Sequence, residues 1–155
     1  MPDLKPLTIL LGQHERQRDT ALAEHLRARS ASDAAAAQAE QLRTYRRDYE
    51  QRWREQFSRE GKIELVRCYH SFMERLTQAV DQQENIAQHA LAQIELAVVQ
   101  LREAEMRCAS VRKLIERRTR ERLARSERHE QKHNDELAAR VASNHPHAAG
   151  RHRLA

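Results

Sequence analysis

Three groups of side chains in this chain have types and spacings that invite chemistry. In "HEQKH", His129, Glu130 and His133 fit the pattern in which two histidines one helical turn apart ligate zinc and the glutamate between them is a general base. Cys68 and Cys108 are the two thiols. In "QLRTYRRDYEQRW", residues 41 to 53, Tyr45, Tyr49 and Trp53 stand at i, i+4 and i+8 between arginines, as stacking platforms on a polyanion binder would.

The catalytic readings fail on what surrounds them. A zinc protease needs a third ligand and a cleft that excludes water. Here no glycine follows at the spacing that extends the motif, and the last acidic residue is Glu136. In a stretch this rich in His, Glu and Arg a chance match is easy, and His145, His147 and His152 in the tail are not a designed site. The cysteines lie 40 residues apart. On one helix that is roughly 60 Å, too far for a disulfide, so they read as thiols of a reducing compartment. There is no phosphate-binding glycine loop, no CxxC and no nucleophile beside a base. We expect no enzyme activity, no cofactor, no metal site and no small-molecule substrate.

The elements that must position these residues follow from composition. Of 155 residues 33% are charged and 4% aromatic, with three glycines and three prolines. Ala, Glu, Arg, Gln and Leu dominate, as in long helices and coiled coils. The fold class is therefore all-α, with a thin seam in place of a broad core. The net charge of +5 suits a polyanion, a membrane surface or an acidic protein, but 23 acidic residues interleave with 28 basic ones, and most of this charge reads as a solvated helix face. No apolar run approaches the length of a membrane span and the start lacks a cleavable signal's layout. The expected location is cytoplasmic.

A first helix is expected over about residues 6–58, with Pro6 in its first turn, and a second over about 63–141. Gly61, in a turn at about 59–62, is a natural left-handed cap between them. Residues 1–142 would form a single hairpin, and 143–155 a disordered tail. On the second helix Val66, Tyr69, Met73, Leu76, Val80, Gln83, Ala87, Ala90, Ile94, Ala97, Leu101, Ala104, Cys108, Val111, Ile115 and Arg118 keep an unbroken 3-4 spacing, which is a coiled-coil seam. Beyond Ile115 the seam turns polar, with Arg118, Arg122, Arg125 and His129. The first helix repeats the spacing through Leu4, Leu7, Leu11, His14, Arg18, Ala21, His25, Ala28, Ser32, Ala35, Ala39, Leu42, Arg46, Tyr49 and Trp53, with polar members that weaken it.

If the chain folds back on itself, residues whose numbers sum to about 121 or 122 become neighbours. Three size matches then appear together. The alanines of 31–40 face "IAQHALA" (86–92), Leu7 and Leu11 face Ile115 and Val111, and Tyr45, Tyr49, Trp53 and Phe57 face Tyr69 and Phe72 at the closed end. The expected fold is a long antiparallel two-stranded coiled-coil hairpin whose second helix is longer than the first. Its overhang of about 25 residues has almost nothing apolar to bury, and nothing in the sequence holds it as a helix in isolation. The overhang's arginines and the aromatics lie at opposite ends of such a hairpin. Stacking and phosphate neutralisation want both in one groove, which argues against nucleic acid.

Leu65, Phe72, Ala79 and Ile86 form a second apolar stripe beside the seam, where a two-stranded coil is ordinarily polar. By the pairing rule Tyr49 meets Phe72, Tyr45 meets Leu76, Leu42 meets Ala79 and Gln38 meets Gln83. The result is a partly exposed patch, either a locally thicker core or a protein-binding surface.

"QLRTYRRDYEQRW", the following Tyr69-x-x-Phe72-Met73-x-x-Leu76 and "AVDQQ" (79–83) resemble the flagellar export protein FliJ family and its injectisome relatives over roughly residues 7 to 120. The resemblance implies a non-catalytic component of the flagellar type III export apparatus with a hairpin similar to the central stalk of rotary ATP synthases. Implied partners are the export ATPase hexamer, whose ring assembly it promotes, the cytoplasmic domain of the export gate, and export chaperones. The implied location is cytoplasmic, peripheral at the flagellar basal body, reaching the membrane only through protein partners. The family's gate-binding surface maps onto Gln38, Leu42, Tyr45, Tyr49, Phe72, Leu76 and Ala79, with Gln83 standing where relatives can carry histidine. By the stalk analogy Leu7, Leu11, His14, Arg18, Cys108, Val111, Ile115 and Arg118 would face the ATPase. Two other function classes fit the residues: a self-associating coiled-coil scaffold or chaperone using the same patch, and, less well, a basic nucleic-acid-binding rod.

Overall fold

The computed structural model describes residues 3–144. Among them are two helices that pack against each other, α1 (Lys5–Arg59) and the longer α2 (Ile63–Ser143). Long uninterrupted helices follow from a composition of strong helix formers with proline confined to the ends. At the start of α1 the Asp3 carboxylate accepts a hydrogen bond from the Lys5 amide at 3.1 Å, and Pro6 occupies the first turn, where no amide donor is missed. The expected tail falls mostly on residues 145–155, outside the described residues. Ser143 is the last residue of α2 and Asn144 the turn after it.

The connection, Glu60–Gly61–Lys62, corrects one expectation. Gly61 is not a left-handed cap, for neither it nor any other described residue has positive φ. The ends are satisfied by continuing the helical pattern: the Glu60 amide donates to the Gln56 carbonyl at 2.9 Å, and the Val66 amide to the Lys62 carbonyl at 3.2 Å. The turn is fully exposed, so its remaining backbone groups can bond to water, and no Schellman geometry is needed.

The chain divides into two compact units, one of Met1–Leu11 with Ala109–Ala155 and one of Gly12–Cys108. Within Gly12–Cys108 the two helices run antiparallel from the connection. Every α1 seam position from His14 to Trp53 and every α2 seam position from Val66 to Cys108 is buried or half-buried. The most enclosed are small: Ser32, Ala35, Ala39, Ala97, Ala104 and Cys108, with Val80 and Leu76. Small side chains on facing stripes let two backbones approach closely, so a thin seam excludes water without large residues. The polar seam positions His14, Arg18, His25 and Arg46 are half-buried; long arginine side chains can carry their charged ends to the rim, whereas His25 keeps its Nδ1 buried without a hydrogen-bond partner.

In the unit of Met1–Leu11 with Ala109–Ala155, Leu4, Leu7 and Leu11 are half-buried, as are Leu114 and Ile115, and Val111 is buried. From Glu116 onward α2 is exposed at every described position except Ala124. It stays helical to Ser143 on propensity and on local pairs such as Arg117 with Glu121, 3.9 Å apart at i, i+4. Among the described residues no helix is long and apolar enough to cross a membrane.

Candidate protein-binding surface

All six aromatic residues join one continuous cluster beside the turn. Tyr45, Tyr49, Trp53 and Phe57 form a ladder at i+4 spacing along α1, with ring centroids 5.8, 5.9 and 5.2 Å apart. Across the seam Tyr49 stacks on Phe72 at 4.3 Å, and Tyr69 fits between Trp53 and Phe57, 5.4 Å from each. Tilted and edge-on arrangements at these distances are favourable for rings with a negative face and positive edge.

The cluster shows an inner and an outer side. Leu76 is buried and Leu42, Tyr49, Phe72, Ala79 and Gln83 are half-buried, while Gln38 is exposed and Tyr45 is 49% exposed. Gln38, Tyr45, Phe72 and Ala79 each immediately precede a seam residue, so they share one flank of the pair. Ile86, 50% exposed, extends that flank. The other flank is closed differently. Arg43 and Glu84, which each follow a seam residue, pair across the helices at 2.7 Å, and Arg43 also reaches Glu40 at 2.7 Å. These bonds to Glu84 and then Glu40 raise the Arg43 pKa above its ordinary value. Next to this bridge an open groove of about 580 Å³ runs between Ala36, Glu40, Arg43, Glu84, Ala87, Gln88 and Leu91. One flank is therefore apolar with tyrosine edges, and the other is ion-paired.

Gln83 turns inward: its amide donates to the Ala35 carbonyl at 3.4 Å, about one helical turn from Gln38. The small Ala35 and Ala39 leave room for the long amide, and a helical carbonyl has a second lone pair to accept it. Its headgroup is thereby committed to the seam.

The residues expected to face the ATPase fall in both units. Leu7, Leu11, Val111, Ile115 and Arg118 belong to one, and only Arg118 of these is exposed. His14, Arg18 and Cys108 belong to the other. Arg18 bonds to the Asp19 carboxylate through Nε at 3.3 Å and Nη2 at 3.0 Å, which raises its pKa above its ordinary value. His14 Nδ1 lies 3.3 Å from Gln17 Oε1. Cys108 is fully buried, so it serves this set by packing.

His129 and His133 are exposed on α2, and among the described residues no three metal-ligating side chains come together. His145, His147 and His152 lie outside the described residues. Cys68 is exposed and unpaired by disulfide, as is the buried Cys108. Reading along the seam missed the Arg43–Glu84 bridge, because the two numbers sum to 127, outside the pairing rule, and only the reach of the long side chains joins them. It also missed exposed apolar residues off the seam, among them Leu22, Leu26, Leu91, Leu96, Val99 and Met106.

Residues 4–147 match the family model described as flagellar FliJ protein. No curated protein and no solved structure matches the chain.

Proposed function

Because the chain belongs to the flagellar FliJ protein family, whose members are components of the flagellar type III export apparatus, we propose that it binds the export ATPase, promotes assembly of the ATPase ring and couples it to the export gate. The observation that carries the gate contact is the flank made by Gln38, Tyr45, Phe72 and Ala79 with Leu42, Tyr49, Leu76 and Gln83 behind it. It combines exposed apolar and tyrosine surface with a rigid ring stack, the combination found where few residues carry most of a binding energy. Tyr45 is the principal contact, since half of it is free. Tyr49 and Phe72 hold it in place, and Gln83 contributes by fixing the local seam.

The ATPase contact uses residues of each unit: Arg118 with the packed Leu7, Leu11, Val111 and Ile115 in one, and His14 and Arg18 with the packed Cys108 in the other. Charged contacts make this interaction salt-sensitive, while the gate contact is apolar and resists salt. Export chaperones are further partners of the same apparatus, the role is non-catalytic, and the site of action is the cytoplasmic face of the flagellar basal body.

The test is a titration of the purified chain with its cognate export ATPase and with the cytoplasmic domain of the cognate gate, using wild type and Tyr45→Ala. Binding of both by wild type, with selective loss of the gate in the variant, is the expected outcome. Gate binding unchanged in Tyr45→Ala would refute the assignment of the patch. Failure to bind either protein, with self-association instead, would replace the export reading by a coiled-coil scaffold.

A further inference from the structure

Between Leu65 and Ile86 the apolar face of α2 is wider than pairing with one helix requires. Val66, Tyr69, Met73, Leu76 and Val80 take the seam. Leu65, Phe72, Ala79 and Ile86 stand beside it at a strict interval of seven residues. The first three are half-buried and Ile86 is 50% exposed. The next three positions of this row, Gln93, Gln100 and Arg107, are polar and exposed. Over the same stretch the opposite flank of the seam carries the polar His70, Thr77 and Glu84. A helix apolar only at 3-4 spacing pairs with one neighbour, whereas a face widened by one flank is the pattern of a helix packed against two. α1 is one of those neighbours, and its own residues on this flank, Ala31, Gln38 and Tyr45, are also seven apart and exposed.

We propose that an amphipathic helix of the export gate's cytoplasmic domain lies along this row from Leu65 to Ile86 and completes a local three-helix bundle with α1 and α2. The inference rests on the gate reading above and adds the form of the partner segment, its extent and Ile86 as a contact. The interval of seven matches a helix and not a strand, whose period is two. The row spans about 32 Å, so the docked helix has about 20 residues, with apolar side chains at 3-4 spacing. A second copy fits this flank less well. Laid antiparallel on the row, it would bring the exposed Arg75, at the row's centre, against its own counterpart. Laid parallel, it would set the polar Gln38 and Arg52 of α1 against the apolar row of α2.

The test is a calorimetric titration of the full chain with the cytoplasmic domain of the cognate gate. Ile86→Asp should weaken binding about tenfold, because the exposed half of the isoleucine loses its cover in the complex. Leu91→Asp, at a 57% exposed leucine on the opposite flank, should change binding by less than about twofold. Circular dichroism should show equal helicity in both variants. If Ile86→Asp loses helicity, Ile86→Gln replaces it, and a loss of several-fold is expected. Hydrogen exchange of the gate domain, with and without the chain, should reveal one contiguous protected segment of about 20 residues. Full binding by the Ile86 variant, an equal loss in Leu91→Asp, or protection scattered over several gate segments would each overturn the proposal. So would a dimer of the chain that Ile86→Asp dissociates. Wild type that binds no gate domain would remove the gate reading and this inference together. Loss of binding in Tyr45→Ala with full binding in Ile86→Asp would leave that reading standing and remove this inference alone.

Discussion

Tyr45 and Tyr49 are neighbours on one helix face, yet their replacement by alanine should differ sharply. Tyr49 is half-buried and has three ring partners, Phe72 at 4.3 Å, Tyr45 at 5.8 Å and Trp53 at 5.9 Å. Aromatic pairs contribute about 0.5–1.5 kcal/mol each beyond area burial. Tyr49→Ala should therefore cost about 2–4 kcal/mol, with the buried ring area adding to the ring-pair loss. Tyr45 has one ring partner and is 49% exposed, so Tyr45→Ala should cost only about 1 kcal/mol. The double variant should fall short of the sum of the singles, because both lose their mutual contact. Urea unfolding followed at 222 nm, with equal slopes checked across the variants, gives the three values. An equal or larger cost at Tyr45 would refute the inner and outer division of the cluster. Binding experiments should therefore use Tyr45→Ala alone, since Tyr49→Ala confounds lost contact with lost packing.

Three further outcomes follow from the geometry. Gly61→Ala should stabilise the chain by about 0.4–1 kcal/mol, since Gly61 has no positive φ and a Cβ there meets nothing within 4 Å; a destabilised urea midpoint would reveal a backbone demand at the turn. With a thiol-reactive chromophore, Cys68 should react at once and Cys108 only in denaturant, and two fast thiols in the native chain would show the seam at Cys108 to be open. A double-mutant cycle on Arg43 and Glu84 should give favourable coupling at low salt that vanishes near 1 M, where the screening length is about 3 Å; coupling independent of salt would mean the bridge is not electrostatic.

By itself the sequence determined the helices, their register and the place of the turn, because each rests on a repeated local signal. The 3-4 spacing from His14 to Trp53 and from Val66 to Cys108 names the sheltered positions, polar members included, since a seam is set by phase and a half-buried arginine can still carry its charge to the rim. The pairing of Tyr49 with Phe72 was legible for the same reason. What only the tertiary structure decided is which way individual side chains face once two helices meet. Gln83 has the same spacing whether it points at Gln38 or at the Ala35 carbonyl, and the room left by two alanines selects the carbonyl. Arg43 could pair along its own helix alone, but the approach of α2 adds Glu84. Gly61 could be left-handed or not, and the exposed turn removes the need. Periodicity fixes the phase of a helix, which is a property of one chain segment. Side-chain partners depend on the distance between two segments, and that distance is set by packing volume across the seam.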